Sequence, residues 1–81
     1  TVTVDGVVKE VHDYSSTHIT NVEIELRDAT GNETFVSCNF SSGVERAKVA
    51  ALRAGAPVKI RGRYEFRFLN VPHIEECTLL P

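Results

Sequence analysis

The chain has 81 residues, 42% of them hydrophobic and 25% charged, with a formal net charge of −2. That length supports one domain, residues 1–81, with a modest core and a thin stability margin. The acidic balance excludes binding of nucleic acid by bulk electrostatics, which needs a clearly basic domain, and no apolar run is long enough to cross a membrane as a helix.

The chain begins at Thr1, already in strand-like sequence, without an initiator Met or a signal-peptide pattern, and reads as a mature or excised fragment. From Thr1 to Val11, Val2, Val4 and Gly6 share one parity, which Val7, Val8 and Val11 then break. This predicts a first strand with a bend or bulge. Asp13 to Thr17 is polar and turn-like. Ile19 to Arg27 alternates cleanly, with Val22, Ile24 and Leu26 on one face and Asn21, Glu23, Glu25 and Arg27 on the other. Asp28 to Asn32 is a turn cluster in which Gly31-Asn32 suits a tight hairpin. A third strand over Thr34 to Phe40 sets Val36, Cys38 and Phe40 inward and Phe35, Ser37 and Asn39 outward.

Period-2 alternation stops at Ser41. Ser42 and Glu45 fit a capping box, and Val44, Ala47, Ala51 and Leu52 recur at helical spacing as one apolar stripe. Gly55 fits the left-handed position after the helix, and Pro57 stops it, so the pattern predicts an amphipathic helix of about three turns. Val58 to Phe68 is the longest alternation. Val58, Ile60, Gly62, Tyr64, Phe66 and Phe68 share one side, and Lys59, Arg61, Arg63, Glu65 and Arg67 the other. Leu69-Asn70 reads as a turn. Val71 to Leu80 is a last strand whose parity is disturbed at Glu75-Glu76, where a bulge is expected.

Each strand has one apolar face, and so short a chain cannot fill a two-sheet sandwich. Closing five bent strands on themselves removes the exposed edges, and the helix can plug one open end. The expected fold is therefore all-β with one helix, a five-stranded OB-fold barrel in the order β-β-β-α-β-β.

Val4-Asp5-Gly6-Val7-Val8, Val36-Ser37-Cys38-Asn39-Phe40, the run Leu52-x-x-Gly55-x-x-Val58-x-Ile60-x-Gly62 and Cys77-x-Leu79 resemble the tRNA-anticodon-like OB-fold family. These are small, mostly bacterial proteins, many of them without an assigned activity. The resemblance spans nearly the whole chain and implies nucleic-acid binding by analogy. OB topology makes the third and fifth strands neighbours, which brings Cys38 and Cys77 within reach of each other. Two buried thiols are the favoured state and a disulfide the alternative.

OB modules bind single strands across strands two and three, rimmed by the loops between strands one and two and between strands four and five. Aromatic rings stack on bases there, and cations follow the backbone. On that pattern Phe35, Tyr14 and His18 are the candidate platforms. Lys59, Arg61, Arg63 and Arg67 form the candidate basic row. At the turn between strands four and five, Arg67, Phe68 and Asn70 offer a cation, a ring and an amide, although the inward parity of Phe68 favours the core. Ordinary loop packing for Tyr14 and His18, a slipped register for Phe35 and a solvated strand face for the basic row are the competing readings. Glu23 and Glu25 on the binding face repel phosphate.

No nucleophile elbow, phosphate-cradling loop or metal-ligand spacing is present, so no catalytic residue, metal or cofactor is assigned and no enzyme is expected. Asn32-Glu33-Thr34 and Asn39-Phe40-Ser41 match the short glycosylation sequon, which matters only in a eukaryotic secretory setting. Two readings stand: a module for single-stranded nucleic acid or another polyanion, and a protein-interaction or envelope-associated domain. The compartment is open between the cytoplasm and the bacterial envelope.

Overall fold

A computed structural model describes residues 1–14, 16, 18–27 and 33–81, apart from the side chains of Leu26 and Arg27. The expected turn at 28–32, the inward Leu26 and the outward Arg27 lie outside those residues, as do Ser15 and Thr17 of the first loop. The elements run β1 (Val2–Tyr14), β2 (Ile19–Arg27), β3 (Glu33–Phe40), α1 (Gly43–Ala50), β4 (Pro57–Phe68) and β5 (Val71–Leu79). The strands close into a barrel in the order β1-β2-β3-β5-β4, with β4 returning to β1. The fold is the expected five-stranded OB-like barrel with one helix.

Closure rests on β1, which pairs with β4 through Val2–Val7 and with β2 through Val7–Tyr14. The register on β2 shifts between Val8 and Glu10, so Lys9 is the extra residue of the bulge that the broken valine pattern anticipates. β1 is longer than expected. Asp13 and Tyr14, read as turn residues, pair with Thr20 and Ile19, because the cross-strand ladder continues past the last apolar residue. β2 and β3 have the expected phase: Val22, Ile24, Val36, Cys38 and Phe40 fill the core with Val8, Ile60 and, from β5, Ile74 and Cys77.

The helix departs from its expected form. It spans 8 residues, and its buried side is Glu45 and Val49, with Leu52 packed against the core. Val44, Ala47 and Ala51 of the predicted stripe are exposed. Ser42 makes no side-chain cap. Glu45 turns toward the barrel instead, where its Oε1 accepts the Leu79 N–H at 2.8 Å and its Oε2 accepts from Lys48 Nζ at 2.9 Å. A carboxylate that satisfies a strand amide is thus what docks the plug onto β5. Gly55 has the predicted positive φ, 93°, but lies beyond the helix. It occupies the third position of the turn closed by the Ala56 N–H to Arg53 C=O bond, and its own N–H donates to Val8 C=O at 2.8 Å.

Two bulges interrupt the β4–β5 pairing. One is the predicted irregularity at Glu75-Glu76: Glu76 takes φ 53°, and two residues of β5 oppose Gly62. The strands come so close there that a Cβ on Gly62 would sit 2.6 Å from Ile74 Cγ2, 2.9 Å from Cys77 Sγ and 2.9 Å from the Glu75 carbonyl. The other, at Glu65, pairs Tyr64 with Ile74 but Phe66 with His73. Directly opposed residues share a side, so Phe66 and Phe68 move to the outer face beside His73 and Val71. This corrects the expectation of a single inward row. Phe68 is 60% exposed, not core, and Arg67 leaves the side that carries Arg63. The hairpin ends in Leu69 and Asn70 with φ 49° and 64°, a two-residue turn with both centres left-handed.

Replacing Gly62 with Ala is expected to destabilise the barrel by about 1–3 kcal/mol, because backbone and core atoms surround the new methyl group; denaturant unfolding measures it. The bond from Lys48, helped by the Leu79 amide, holds the Glu45 carboxyl below its ordinary range against the opposing effect of burial. Its contribution to stability is therefore complete at neutral pH and lost as pH falls through that lowered value. Denaturant melts of Glu45→Gln should show this part of the acid dependence flattened.

Candidate binding groove

Outward residues of β1, β2 and β3 form polar rows across the sheet. Glu10 faces Glu23, and His12 faces Asn21. Asn21 pairs with Asn39, and Glu23 with Ser37, which adjoins His73 of β5. Asn21 Nδ2 lies 2.6 Å from both Ser37 Oγ and Asn39 Oδ1, and Asn39 Nδ2 donates to Glu75 Oε1 at 2.8 Å. This amide ladder crosses three strands and fixes the floor.

The β4–β5 hairpin supplies a wall. Phe66 stacks on His73 with ring centroids 4.5 Å apart and planes within 9°. Phe68, Leu69 and Val71 continue that wall along a groove of ≈ 310 Å³. Tyr14, 51% exposed, closes the other side and stacks on His12 with centroids 6.0 Å apart. The groove thus offers several rings, an amide and hydroxyl floor, and the carboxylate of Glu23.

Of the residues singled out in the sequence, Tyr14 lines this groove. His18 is exposed, with φ 57°, and lies outside the lining. Phe35 keeps the outward register, since Val36 and Cys38 are buried. It lies two residues along β3 from Ser37, beyond the lining, and one face of its ring is covered by Lys9 Nζ at 4.1 Å from the centroid. The basic row does not meet the groove. Lys59, Arg61 and Arg63 stand on the outer side of β4, between β1 and β5, while the groove floor is β1–β2–β3. Lys59 lies 3.9 Å from Asp5, and Arg63 lies 3.1 Å from Glu65 and 3.7 Å from Glu76. Among the described residues, Arg61 and Arg67 make no ion pair.

Sequence reasoning missed His12, Asn21 and His73 as lining, and favoured the core for Phe68 over its place as a ring at the hairpin, which is the one it takes. Nothing in the run Tyr64-Glu65-Phe66 marks the bulge, as no Gly or Pro occurs there. His12 and His73 belong to one site only because β1–β2–β3–β5 are neighbours, a tertiary fact.

Cys38 and Cys77 are adjacent, as the expected strand order implies, and both are buried as free thiols. Cys77 Sγ donates to the Ile74 carbonyl at 3.4 Å. A hydrogen bond to Cys77, followed by burial, pushes the Cys38 thiol far above its ordinary value, so Cys38 stays a thiol, and burial keeps reagents from both sulfurs. Neither thiol should be alkylated in the folded protein, and both should be once it is unfolded, read by intact mass. No family model, curated protein or solved structure matches this chain.

Proposed function

We propose that the chain is a non-catalytic binding module that takes a short single-stranded nucleic-acid segment in the groove between the β1–β2–β3 face and the β4–β5 hairpin. The observation that carries this reading is the set of rings around one open groove: Tyr14, stacked on His12, on one side, and Phe68 with the Phe66–His73 stack on the other. Exposed rings spaced along a sheet face accept bases irrespective of sequence. The Asn21–Ser37–Asn39 ladder is suited to base edges. The same face is the one that OB-type barrels use, and the resemblance to the tRNA-anticodon-like OB-fold family agrees with it.

Affinity in this groove comes from stacking more than from phosphate contacts, because the cations of β4 lie on another side and Glu23 is in the lining. The salt dependence should therefore be shallow, unlike that of a protein neutralising many phosphates. The second reading is a protein partner that docks through apolar and basic side chains. Leu69, 81% exposed at the hairpin tip, and the acidic pair Glu10 and Glu23 favour it.

Fluorescence anisotropy with short single-stranded DNA and RNA tests the proposal. Phe68→Ala should weaken binding by about 1–3 kcal/mol, while Arg61→Glu should leave it nearly unchanged. Absence of binding even at low salt, or equal affinity for Phe68→Ala and the parent protein, rejects the nucleic-acid reading and leaves the protein partner.

A further inference from the structure

We propose that Glu10, His12 and Glu23 form a site for a single divalent transition-metal ion of the Zn²⁺ type at the edge of the groove. The site is independent of whether nucleic acid binds there. Glu10 and His12 are two residues apart on β1, so both point outward, and the bulge at Lys9 sets Glu10 opposite Glu23 of β2. One ligand atom from each of the three side chains lies within 4.8 Å of the other two.

One pair already has metal-site spacing. His12 Nε2 and Glu10 Oε2 are 3.4 Å apart. Zinc bonds of about 2.0–2.2 Å to nitrogen and oxygen put tetrahedral ligands roughly 3.4 Å from each other. Closing the two edges to Glu23, each no longer than 4.8 Å, asks for a side-chain shift of at most about 1.4 Å. The ring of His12 is steadied by its stack with Tyr14.

A second observation also points to a cation. Two glutamates directly opposite each other on paired strands repel. Among the described residues, no Lys or Arg pairs with either one. Lys9, the nearest cation in the chain, lies over the Phe35 ring. A divalent ion supplies the missing charge. One imidazole and two carboxylates suit Zn²⁺ and its first-row neighbours, whereas Ca²⁺ and Mg²⁺ take oxygen ligands in larger number. Three protein ligands leave a coordination position open, as in zinc sites that bind an exchangeable group. His12 and Glu23 both line the groove, so the ion borders it.

The test is calorimetric titration of metal-free protein with Zn²⁺, with Co²⁺ absorption and histidine NMR in parallel. One ion per chain should bind in the micromolar range, give the visible bands of four-coordinate Co²⁺ and shift the His12 resonances but not those of His18 or His73. His12→Ala should abolish binding, and Glu23→Gln should weaken it at least as much as loss of an outer-shell partner does, about 10–100-fold. Thermal melts without metal should place Glu23→Gln at or above the parent protein and show His12→Ala still folding cooperatively, which separates loss of the site from loss of the fold. No saturable binding below millimolar Zn²⁺ overturns the proposal. So does binding that survives in both variants, or Ca²⁺ or Mg²⁺ binding as tight as Zn²⁺.

Discussion

The rest of the structure depends on one strand having two partners. β1 gives its first half to β4 and its second half to β2, with Val7 paired to both. A flat strand cannot do this. The chain must coil between the two ladders, and the bulge at Lys9 supplies the extra residue that turns it. Val8, at the bend, is buried, and its N–H and C=O are both taken, by Ala56 C=O and the Gly55 N–H. The corner is therefore fixed by backbone bonds as well as by packing. Closure gives each strand two neighbours, with β3 and β5 joined by a two-residue parallel contact, and it limits the edge that so small a barrel offers to other chains.

The opposite wall solves the same problem by close approach. Two residues of β5 oppose Gly62, and a residue with any side chain would collide there. Three residues further out, the bulge at Glu65 turns the hairpin's rings away from the core and toward the sheet face. The wall of the groove is thus a product of register. Shifting the pairing by one residue exchanges the two sides of a strand, and this exchange places Phe66 and Phe68 beside His73.

This explains which parts were legible in the sequence. Strand phases in β2 and β3 were, because period-2 patterns with one apolar face have a single inward solution. The barrel was also legible, since five such strands in a short chain have few other ways to hide their edges. The irregularity at Glu75-Glu76 disturbed parity enough to be seen. The Glu65 bulge did not, because Tyr64, Phe66 and Phe68 continue a regular aromatic alternation straight through it. The helix misled for a related reason. Val44 and Ala47 have apolar spacing, but the docked side is selected by Glu45, whose carboxylate meets a strand amide. A pattern of hydrophobicity cannot register that polar bond. The groove was legible at Tyr14 and in the outward Glu23 and Ser37, but not as one site, since its members come from all five strands.

The pairing of Ser37 and Cys38 with His73 and Ile74 has a consequence for how the chain assembles. This parallel contact and the antiparallel one of Val2 with Gly62 both join segments far apart in sequence, and each must overcome loop-closure entropy before it returns any burial. β1, β2 and β3 form a meander of local pairings that can zip up early, yet its two outer strands both wait for β4 and β5. During synthesis the C-terminal strands emerge last, so the nascent meander exposes two unsatisfied edges until the final residues of the domain leave the ribosome. The last third of the chain is thus the clasp on which the solubility of the first two thirds depends.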